Sequence, residues 1–235
     1  MMTKIYTVVA AGGLGKRLKN YRKNDTTKML LNIDGETMIT HQLKQLISWG
    51  LENFIIVTNP NFDELIKFEV NKYFPNKNIE FVIQEEQLGV AHALLQAHEK
   101  VETNSKVLYI LGDNFFEHNP IKQTDFNSNK PSIFLFKVNN PHEFGVVELK
   151  KNKIVSFEEK PKFPKSNFIA VGLYLLDDDC FDYIKTIKKS SRGEYEITSL
   201  LETYLKYENL DYKMINGWWV DAGTPESIER YESLI

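Results

Sequence analysis

The sequence is poor in cysteine, in long apolar runs and in net charge, and each shortage excludes a class of protein. Cys180 is its single cysteine, so no disulfide can form within the chain, and we expect a reducing compartment, the cytoplasm. No run reaches the roughly 18 consecutive apolar residues of a membrane span, so we expect no membrane partner. A net charge of −3 disfavours a nucleic-acid partner, because general nucleic-acid binders usually carry a strongly basic face.

The remaining composition is that of an ordinary globular protein. Apolar residues make up 42% of the chain and charged residues 26%, close to the globular average. The 235 residues correspond to one large domain or two small ones at roughly 150 residues per domain. No low-complexity linker divides the chain. We therefore predict a single domain over 1–235, with lobes over about 1–120 and 121–235 that meet in the Ser-, Asn- and Lys-rich loop 122–130.

Short apolar runs alternate with amphipathic segments in the first half of the chain. The runs predict strands over 5–10, 54–58, 79–83 and 107–111, and the segments between them predict helices over 38–49, 62–73 and 90–99. Strands that alternate with helical crossovers build a parallel sheet that is covered on both faces. The first half therefore predicts a doubly wound α/β fold.

The second half has closely spaced strands instead. Strands are predicted over 133–138, 145–149, 154–158, 168–176, 212–215 and 218–220, and helices over 180–188, 196–207 and from Pro225 onward. The first three of these strands leave no room for crossover helices between them. We therefore predict an antiparallel section that is inserted into, or appended to, the parallel sheet, which makes the whole sheet mixed but mainly parallel.

A glycine-rich turn with Gly12, Gly13 and Gly15 follows the first predicted strand. Glycines allow a backbone to approach a phosphate closely, and their N–H groups can surround it. Two known phosphate motifs do not fit this turn: Ala10 and Arg17 break the Walker A pattern, and Leu18 breaks the Rossmann fingerprint. A phosphate site of another kind is predicted, with an unliganded turn as the alternative.

Six basic residues lie within thirteen positions of this turn and are opposed by one acid, Asp25. They are Lys16, Arg17, Lys19, Arg22, Lys23 and Lys28. A solvated basic face is the ordinary explanation of such a run. Its position directly after a phosphate-sized turn favours a triphosphate site.

Two aspartates follow apolar stretches and suggest a metal site. Asp113 comes just after the strand 107–111, and Asp221 follows Trp219 and Val220. Ligands of open parallel sheets bind beyond the carboxyl ends of the strands. Two carboxylates together with phosphate oxygens suit Mg²⁺, which prefers hard oxygen ligands. More than a hundred residues separate the two aspartates, so their meeting is left open, and Asp113 as a simple turn residue is the alternative.

Two further charged segments stand out. Glu159 and Lys160 end a predicted strand before a proline, where the lysine could hold a second phosphate and the glutamate could accept hydrogen bonds from hydroxyls. A surface charge cluster is the alternative. The segment 191–198, with Arg192 and Glu194, is interpreted at least in part as a helix start.

Nine short segments together resemble the sugar-1-phosphate nucleotidylyltransferases, and among them most closely the glucose-1-phosphate thymidylyltransferases. The segments occur in the family's order over almost the whole chain, at 11–18, 28–31, 84–89, 111–114, 144–148, 159–161, 172–174, 192–198 and 219–225. The resemblance implies a Rossmann-like nucleotidyltransferase fold with a sugar-binding antiparallel section. It also implies attack of a sugar-1-phosphate oxygen on the α-phosphorus of a nucleoside triphosphate, with Mg²⁺ as cofactor and pyrophosphate as the leaving group.

The same resemblance implies roles for individual residues. Nucleotide-binding residues would be Ala11, Gly12, Gly13, Gly15, Gln84, Gly89 and Asp113, with Gln84 and Gly89 at the base. Catalytic residues would be Arg17, Lys28, Asp113 and Lys160, and the metal ligands would be Asp113 and Asp221. The sugar phosphate would be bound by Gly145, Glu159, Lys160, Gly172, Arg192 and Glu194.

The sequence departs from the family pattern at three positions, and several points stay open. Lys16 stands where the family usually has threonine, and Asn20 and Asn32 stand where it usually has proline. The resemblance favours dTTP and, by default, glucose-1-phosphate. The alternatives are a uridylyl- or cytidylyltransferase for another sugar phosphate, or a catalytically silent nucleotide-sugar binding protein. A homo-oligomer is left open, and feedback inhibition is not carried over.

Overall fold

A computed structural model gives the fold and describes residues 3–13, 15–18, 27–122, 124, 126, 128, 130–207 and 210–235. The elements up to Phe116 are β1 (Ile5–Ala10), β2 (Asn32–Ile33), β3 (Glu36–Thr37), α1 (Met38–Ser48), β4 (Asn53–Thr58), α2 (Asp63–Tyr73), β5 (Asn78–Ile83), α3 (Val90–Leu95), β6 (Lys106–Leu111) and β7 (Asn114–Phe116). Those that follow are β8 (Ser132–Lys137), β9 (Gly145–Lys150), β10 (Lys153–Glu159), β11 (Phe168–Asp177), α4 (Cys180–Thr186), α5 (Ile197–Lys206), β12 (Asp211–Met214), β13 (Trp219–Asp221) and α6 (Pro225–Glu232).

Within the described residues, one sheet of nine strands contains strands from both halves of the chain. Its order is β10-β9-β11-β6-β1-β4-β5, and β8 and β12 attach beside β11. Strands β6, β1, β4 and β5 are parallel, whereas β11 runs antiparallel to β6, with Tyr174 opposite Tyr109. The predicted mixed sheet, mainly parallel with an antiparallel section, is confirmed. Because β1, β4, β5 and β6 are parallel, their carboxyl ends share one edge of the sheet.

Helices cover both faces of this sheet, as a doubly wound fold requires. Successive side chains of a strand point to opposite faces, so in β1 Val9 joins one hydrophobic core while Val8 joins the other. Helices α1, α2 and α6 pack in the first core, and α3, α4 and α5 pack in the second. The predicted crossover arrangement of the first half is confirmed.

The structure corrects several element bounds. Helix α3 ends at Leu95 and not at 99, and a separate 3₁₀ turn spans His98–Lys100. Helix α4 ends at Thr186 and not at 188, because Ile187 takes an extended conformation. The last strands lie at Asp211–Met214 and Trp219–Asp221, each shifted by one residue from the prediction.

Two short pairings were not predicted at all. Strands β2 and β3 form a hairpin whose turn, Asp34 and Gly35, has positive φ angles of 46° and 87°, the conformation that Asp-Gly favours. Strand β7 pairs antiparallel with β13. Strands β2, β3 and β7 have two or three residues, too few to show a hydrophobic period, and no sequence pattern indicates which distant segments pair.

Some predictions remain untested. Residues 123, 125, 127 and 129 of the predicted loop 122–130 lie outside the described residues. So do Lys19, Arg22 and Lys23 of the basic run, and Asn20, which departs from the family pattern. The single domain with two lobes therefore stays a prediction. Among the helices of the described residues, none has both the length and the apolar character to cross a bilayer.

Candidate active site

A cavity of about 450 Å³ lies at the carboxyl edge of the parallel strands. Its first end is lined by Gly12, Gly13, Gly15, Arg17, Lys28, Asp113, Asp221 and Gly223, its second end by Phe144, Gly145, Glu159, Lys160, Gly172, Glu194 and Thr198, and a third wall by Gln84, Gln87 and Gly89. Most of the predicted site residues therefore line one cavity. Of the predicted set, Ala11 and Arg192 are not part of its lining.

The glycine turn is held by its neighbour strand. The Asn59 side chain donates a hydrogen bond from Nδ2 to the Gly12 carbonyl at 2.8 Å. A Cβ placed on Gly12 would lie only 2.9 Å from the Thr58 carbonyl oxygen, so this position requires glycine. Ala11 lies fully buried behind the turn, and its amide donates to the Val57 carbonyl at 2.8 Å. Its predicted contact with nucleotide stays a prediction.

Lys28 connects the glycine turn with Asp113. Its Nζ would lie 3.9 Å from a Cβ placed on Gly13, and its amine forms an ion pair with Oδ2 of Asp113. The short 3₁₀ turn Lys28–Leu30 is capped by Thr27, whose hydroxyl accepts a hydrogen bond from the Met29 amide. The lysine that sequence reasoning placed at the triphosphate is therefore held directly above the turn.

The two aspartates lie at neighbouring points of the cavity. Strand β13 pairs with β7, which sets Asp221 opposite Asn114, and the Ala222 amide donates to the Asp113 carbonyl at 2.8 Å. This pairing answers the question that the sequence left open, because it brings the ends of two distant segments together. The guanidinium of Arg17 lies over Gly223, where a Cβ would be 2.7 Å from its Nη2 atom.

The two carboxyl groups have opposite electrostatic environments. Burial would raise the pKa of Asp113, but the Lys28 ammonium, together with hydrogen bonds, outweighs it and holds that pKa below its ordinary value. Burial and then the charge of Asp113 raise the pKa of Asp221 to about 7, against the opposing effects of Lys28 and Arg17. The Oδ1 atom of Asp221 is buried and has no hydrogen-bond partner among the described residues.

Lys160 and Glu159 define the second end of the cavity. Lys160 follows β10 with a left-handed φ of +43°, and its amide donates to the Phe144 carbonyl at 3.0 Å. This rare conformation for a side chain other than glycine ends the strand and turns the chain at the cavity wall. Glu159 accepts hydrogen bonds from Thr198 at 3.1 Å and from Arg192 at 3.3 Å. Burial, and then the charge of Glu196, raises the pKa of Glu159.

Two glycines of this end pack tightly against their neighbours. A Cβ on Gly145 would lie 2.8 Å from the Thr198 methyl group, and one on Gly172 would lie 2.7 Å from Leu111. Both positions therefore accept only glycine without a shift of their neighbours. Their backbone therefore packs closely against its neighbours in the cavity wall.

The family of this chain is shown by comparison with known proteins. The model of the family described as "Nucleotidyl transferase" matches residues 6–235. The chain belongs to that family. It is 32% identical to the glucose-1-phosphate thymidylyltransferase of Neisseria meningitidis, over 97% of this chain and 81% of that protein. It is 31% identical to the bifunctional protein GlmU of Methanococcus vannielii, over 93% of this chain and 52% of that protein.

Solved structures agree with this assignment. A candidate glucose-1-phosphate thymidylyltransferase from Bacillus anthracis, crystallised with a sucrose, superposes with a TM-score of 0.88 at 33% identity, over 98% of this chain and 94% of the other. A UDP-glucose pyrophosphorylase in complex with UDP-glucose has a TM-score of 0.83 at 20% identity, over 98% of each chain, and supports the fold alone. The Rossmann-like nucleotidyltransferase fold that the resemblance implied is confirmed, and this chain is a nucleotidyltransferase.

Sequence reasoning assigned no role to four residues that shape the site of this nucleotidyltransferase. They are Asn59, Asn114, Glu196 and Thr198. The Oδ1 atom of Asn114 accepts hydrogen bonds from the Gly172 amide at 3.0 Å and from the Trp219 indole at 2.8 Å. Asn114 on β7 thereby connects β11 with β13. Asn114, Glu196 and Thr198 stand inside the family segments and could have been found there. Asn59 lies outside all nine family segments, so they could not indicate its role.

Proposed function

We propose that the enzyme transfers a nucleotidyl group from a nucleoside triphosphate, with dTTP preferred, to a sugar-1-phosphate, with glucose-1-phosphate as the default substrate. One observation carries the proposal. Two carboxylates and two cations, Asp113, Asp221, Lys28 and Arg17, lie between a glycine turn and a lysine–glutamate pair in one cavity. This arrangement has room for a triphosphate at one end and for a hydroxyl-rich phosphate ester at the other.

The reaction needs positioning and charge neutralisation rather than an enzyme nucleophile. A phosphate oxygen of the sugar phosphate forms a bond to the α-phosphorus, and the bond from that phosphorus to the oxygen of the departing pyrophosphate breaks. In our proposal Lys160 holds the attacking phosphate, and Lys28 and Arg17 neutralise the triphosphate and the leaving pyrophosphate. Glu159, held by Thr198 and Arg192, accepts hydrogen bonds from sugar hydroxyls.

Asp113 and Asp221 fit a magnesium ion. The buried Oδ1 atom of Asp221 lacks a partner among the described residues, and a carboxylate of this kind suits a hard cation that completes its shell with phosphate oxygens. When bound, Mg²⁺ would supply positive charge to the phosphates. No group of three or more His, Cys, Asp or Glu side chains suited to a metal occurs in the described part of the chain, so substrate would contribute ligands.

The proposed substrate preference rests on the names of the relatives. The Neisseria and Mycolicibacterium relatives, at 32% and 33% identity, are named glucose-1-phosphate thymidylyltransferases. Thymine differs from uracil by one methyl group, and an apolar group of that size discriminates by only about 1–3 kcal/mol. Because the Methanococcus relatives are named GlmU and not thymidylyltransferase, transfer between another nucleotide and another sugar phosphate is the second candidate function.

Pyrophosphate release tests the proposal directly. The enzyme with Mg²⁺ is assayed with dTTP, UTP, CTP, GTP and ATP, each against glucose-1-phosphate and then against a panel of other sugar-1-phosphates. We expect release with dTTP and glucose-1-phosphate. Release that is faster with another pair would replace the substrate assignment, and silence over the whole panel would overturn the enzymatic role in favour of a nucleotide-sugar binding protein.

A further inference from the structure

A histidine behind the cavity wall contacts Gln84. His92 lies on α3, half-buried, and is not part of the cavity lining, whereas Gln84 is 3% exposed and lines the cavity. The Nε2 atom of Gln84 lies 3.0 Å from Nδ1 of His92 and 3.2 Å from the Gly89 carbonyl oxygen. Sequence reasoning singled out Gln84 and Gly89 for the base and left His92 without a function.

These two contacts fix which way the Gln84 amide points. A carbonyl oxygen can only accept a hydrogen bond, so the atom facing Gly89 must be the NH₂ group of Gln84. The same NH₂ group faces Nδ1 of His92, which accepts from it in the neutral tautomer that carries its hydrogen on Nε2. Both amide N–H bonds are then used within the protein, and no described residue donates a hydrogen bond to Oε1 of Gln84.

The surroundings of His92 favour this neutral form. Burial lowers the pKa of His92, the Glu86 backbone and carboxylate oppose that shift, and Lys189 lowers the pKa further. The Tyr195 ring stacks on His92 at 6.0 Å, and the Lys189 amine lies 5.4 Å from the Tyr195 ring. From the same helix, the Gln96 NH₂ group donates to the His92 carbonyl at 3.0 Å and also faces the Nε2 atom of His92 at 3.2 Å. Two amide donors therefore face a neutral ring that has one accepting nitrogen, and the 3.0 Å contact to Gln84 is the shorter of the two.

We propose that His92 is a specificity-determining positioning residue, which holds the Gln84 amide so that its oxygen faces the base and selects pyrimidines with an N3–H donor over cytosine. The inference rests on the proposed function, because it deepens the role of Gln84 in nucleotide binding. Thymine and uracil carry a hydrogen at N3 that Oε1 can accept. Cytosine has an unprotonated N3, which needs a donor and is met by an acceptor. A turned amide would reverse this preference.

Binding of dUTP and dCTP isolates the effect, since these nucleotides share sugar and phosphates and differ at the pyrimidine edge. Dissociation constants are measured with Mg²⁺ for the wild-type enzyme and for His92→Ala, His92→Gln and the exposed-histidine control His118→Ala. We expect His92→Ala to reduce the preference for dUTP over dCTP about fivefold, the worth of one neutral hydrogen bond. His92→Gln can still accept from Gln84 and keeps the preference, and His118→Ala behaves as wild type.

The pH dependence separates this role from a merely structural one. As the pH falls through the lowered pKa of His92, the protonated ring turns from acceptor to donor, so the wild-type preference for dUTP over dCTP falls, whereas that of His92→Gln stays constant. An unchanged preference in His92→Ala, or an equal pH dependence in His92→Gln, overturns the inference and leaves the proposed function intact. Absence of nucleotide binding in the wild-type protein overturns both.

Discussion

The pKa values of two carboxyl groups in one cavity are shifted in opposite directions, and individual contacts explain the difference. Asp113 has Lys28 as an ion-pair partner and accepts a hydrogen bond from Asn114. The Oδ1 atom of Asp221 has no hydrogen-bond partner in the described part of the chain. After burial, the strongest effect on the pKa of Asp221 comes from the like charge of Asp113, which raises it. The first group is therefore satisfied by the protein, while the second is left for a ligand.

This difference predicts opposite stability effects of two matched variants in a chelator-containing buffer. The lowered pKa of Asp113 means that its ionised form stabilises the fold, so Asp113→Asn should lower the free energy of unfolding. The raised pKa of Asp221 means that its contribution is lost as the pH rises from about 4 through about 7. Asp221→Asn should therefore raise the free energy of unfolding at pH 8, by about 1–2 kcal/mol.

Thermal and denaturant unfolding of Asp113→Asn and Asp221→Asn measures the two changes in the free energy of unfolding. Pyrophosphate release is assayed for the same two variants. Each variant should lose nearly all Mg²⁺-dependent pyrophosphate release, since each removes a proposed metal ligand. A variant pair that shifts stability in the same direction would contradict the electrostatic argument. Full activity of either one would remove that aspartate from the proposed mechanism.

Glu159 should impose an acid limit on sugar-phosphate binding. Burial, and then the Glu196 carboxylate, raises the pKa of Glu159, so Glu159 takes up a proton at a higher pH than an ordinary glutamate. Protonation leaves one oxygen as a donor, and the KM for the sugar phosphate should rise as the pH falls. Replacing Glu196 by glutamine keeps an acceptor for the Ser190 hydroxyl and removes the charge.

The measurement is the pH profile of kcat/KM for the sugar phosphate. In Glu196→Gln its acid limb should move to lower pH, because the like charge that raises the pKa of Glu159 is gone. Glu158→Gln is the matched control. Glu158 lies on β10 next to Glu159 but pairs with Lys165 at 2.5 Å, so this variant should keep the wild-type acid limb. Identical limbs in all three proteins would exclude Glu159 as the controlling group.

Among the helices and strands, those with a repeating apolar pattern could be predicted from the sequence. The strands β1, β4, β5 and β6 and their helices follow apolar periodicity, so the sequence indicated them and the fold class. Pairings between distant short segments have no such signal. The pairing of β7 with β13 joins three residues to three others, with Asn114 opposite Asp221, and together with the bond from the Ala222 amide to the Asp113 carbonyl it brings the second aspartate to the first.

The candidate site divides in the same way. Residues in local motifs, such as the glycine turn and Lys160, could be named from sequence, because their residue types and neighbours already suggest phosphate chemistry. Asn59 and His92 could not, since each acts through a single contact that only the fold creates, at 2.8 Å to the Gly12 carbonyl and 3.0 Å to Gln84. Positioning residues were therefore the part that sequence reasoning missed.

The end of β4 should control the glycine turn. Asn59 is 1% exposed, and its side chain donates to the Gly12 carbonyl while its Oδ1 atom accepts from the Asn61 amide. Asn59→Ala removes the bond that fixes the turn, and we expect the nucleotide KM to rise about fivefold, as for one lost hydrogen bond of about 1 kcal/mol. Steady-state kinetics with varied nucleotide measures this rise. Asn61→Ala, which retains its backbone amide, should leave the KM unchanged, and a similar rise in both variants would contradict the argument.

The cavity as a whole is assembled across the change from parallel to antiparallel strands. Its nucleotide wall comes from the parallel side, with Gln84 at the end of β5, and its second wall comes from the antiparallel side, with Lys160 at the end of β10. Strand β11 lies between these regions through its pairings with β6 and β9. The two substrates should therefore be bound by residues that belong to different parts of one sheet.

This division predicts a crossed kinetic pattern in two variants. Lys160→Ala removes a proposed charge-assisted contact to the sugar phosphate, so it should raise the sugar-phosphate KM about tenfold or more and change the nucleotide KM little. Gln84→Ala should raise the nucleotide KM and leave the sugar-phosphate KM nearly unchanged. Initial rates over a grid of both substrate concentrations separate the two constants. If either variant raised both constants equally, the two walls would act as one binding unit, and the assignment of one substrate to each wall would be wrong.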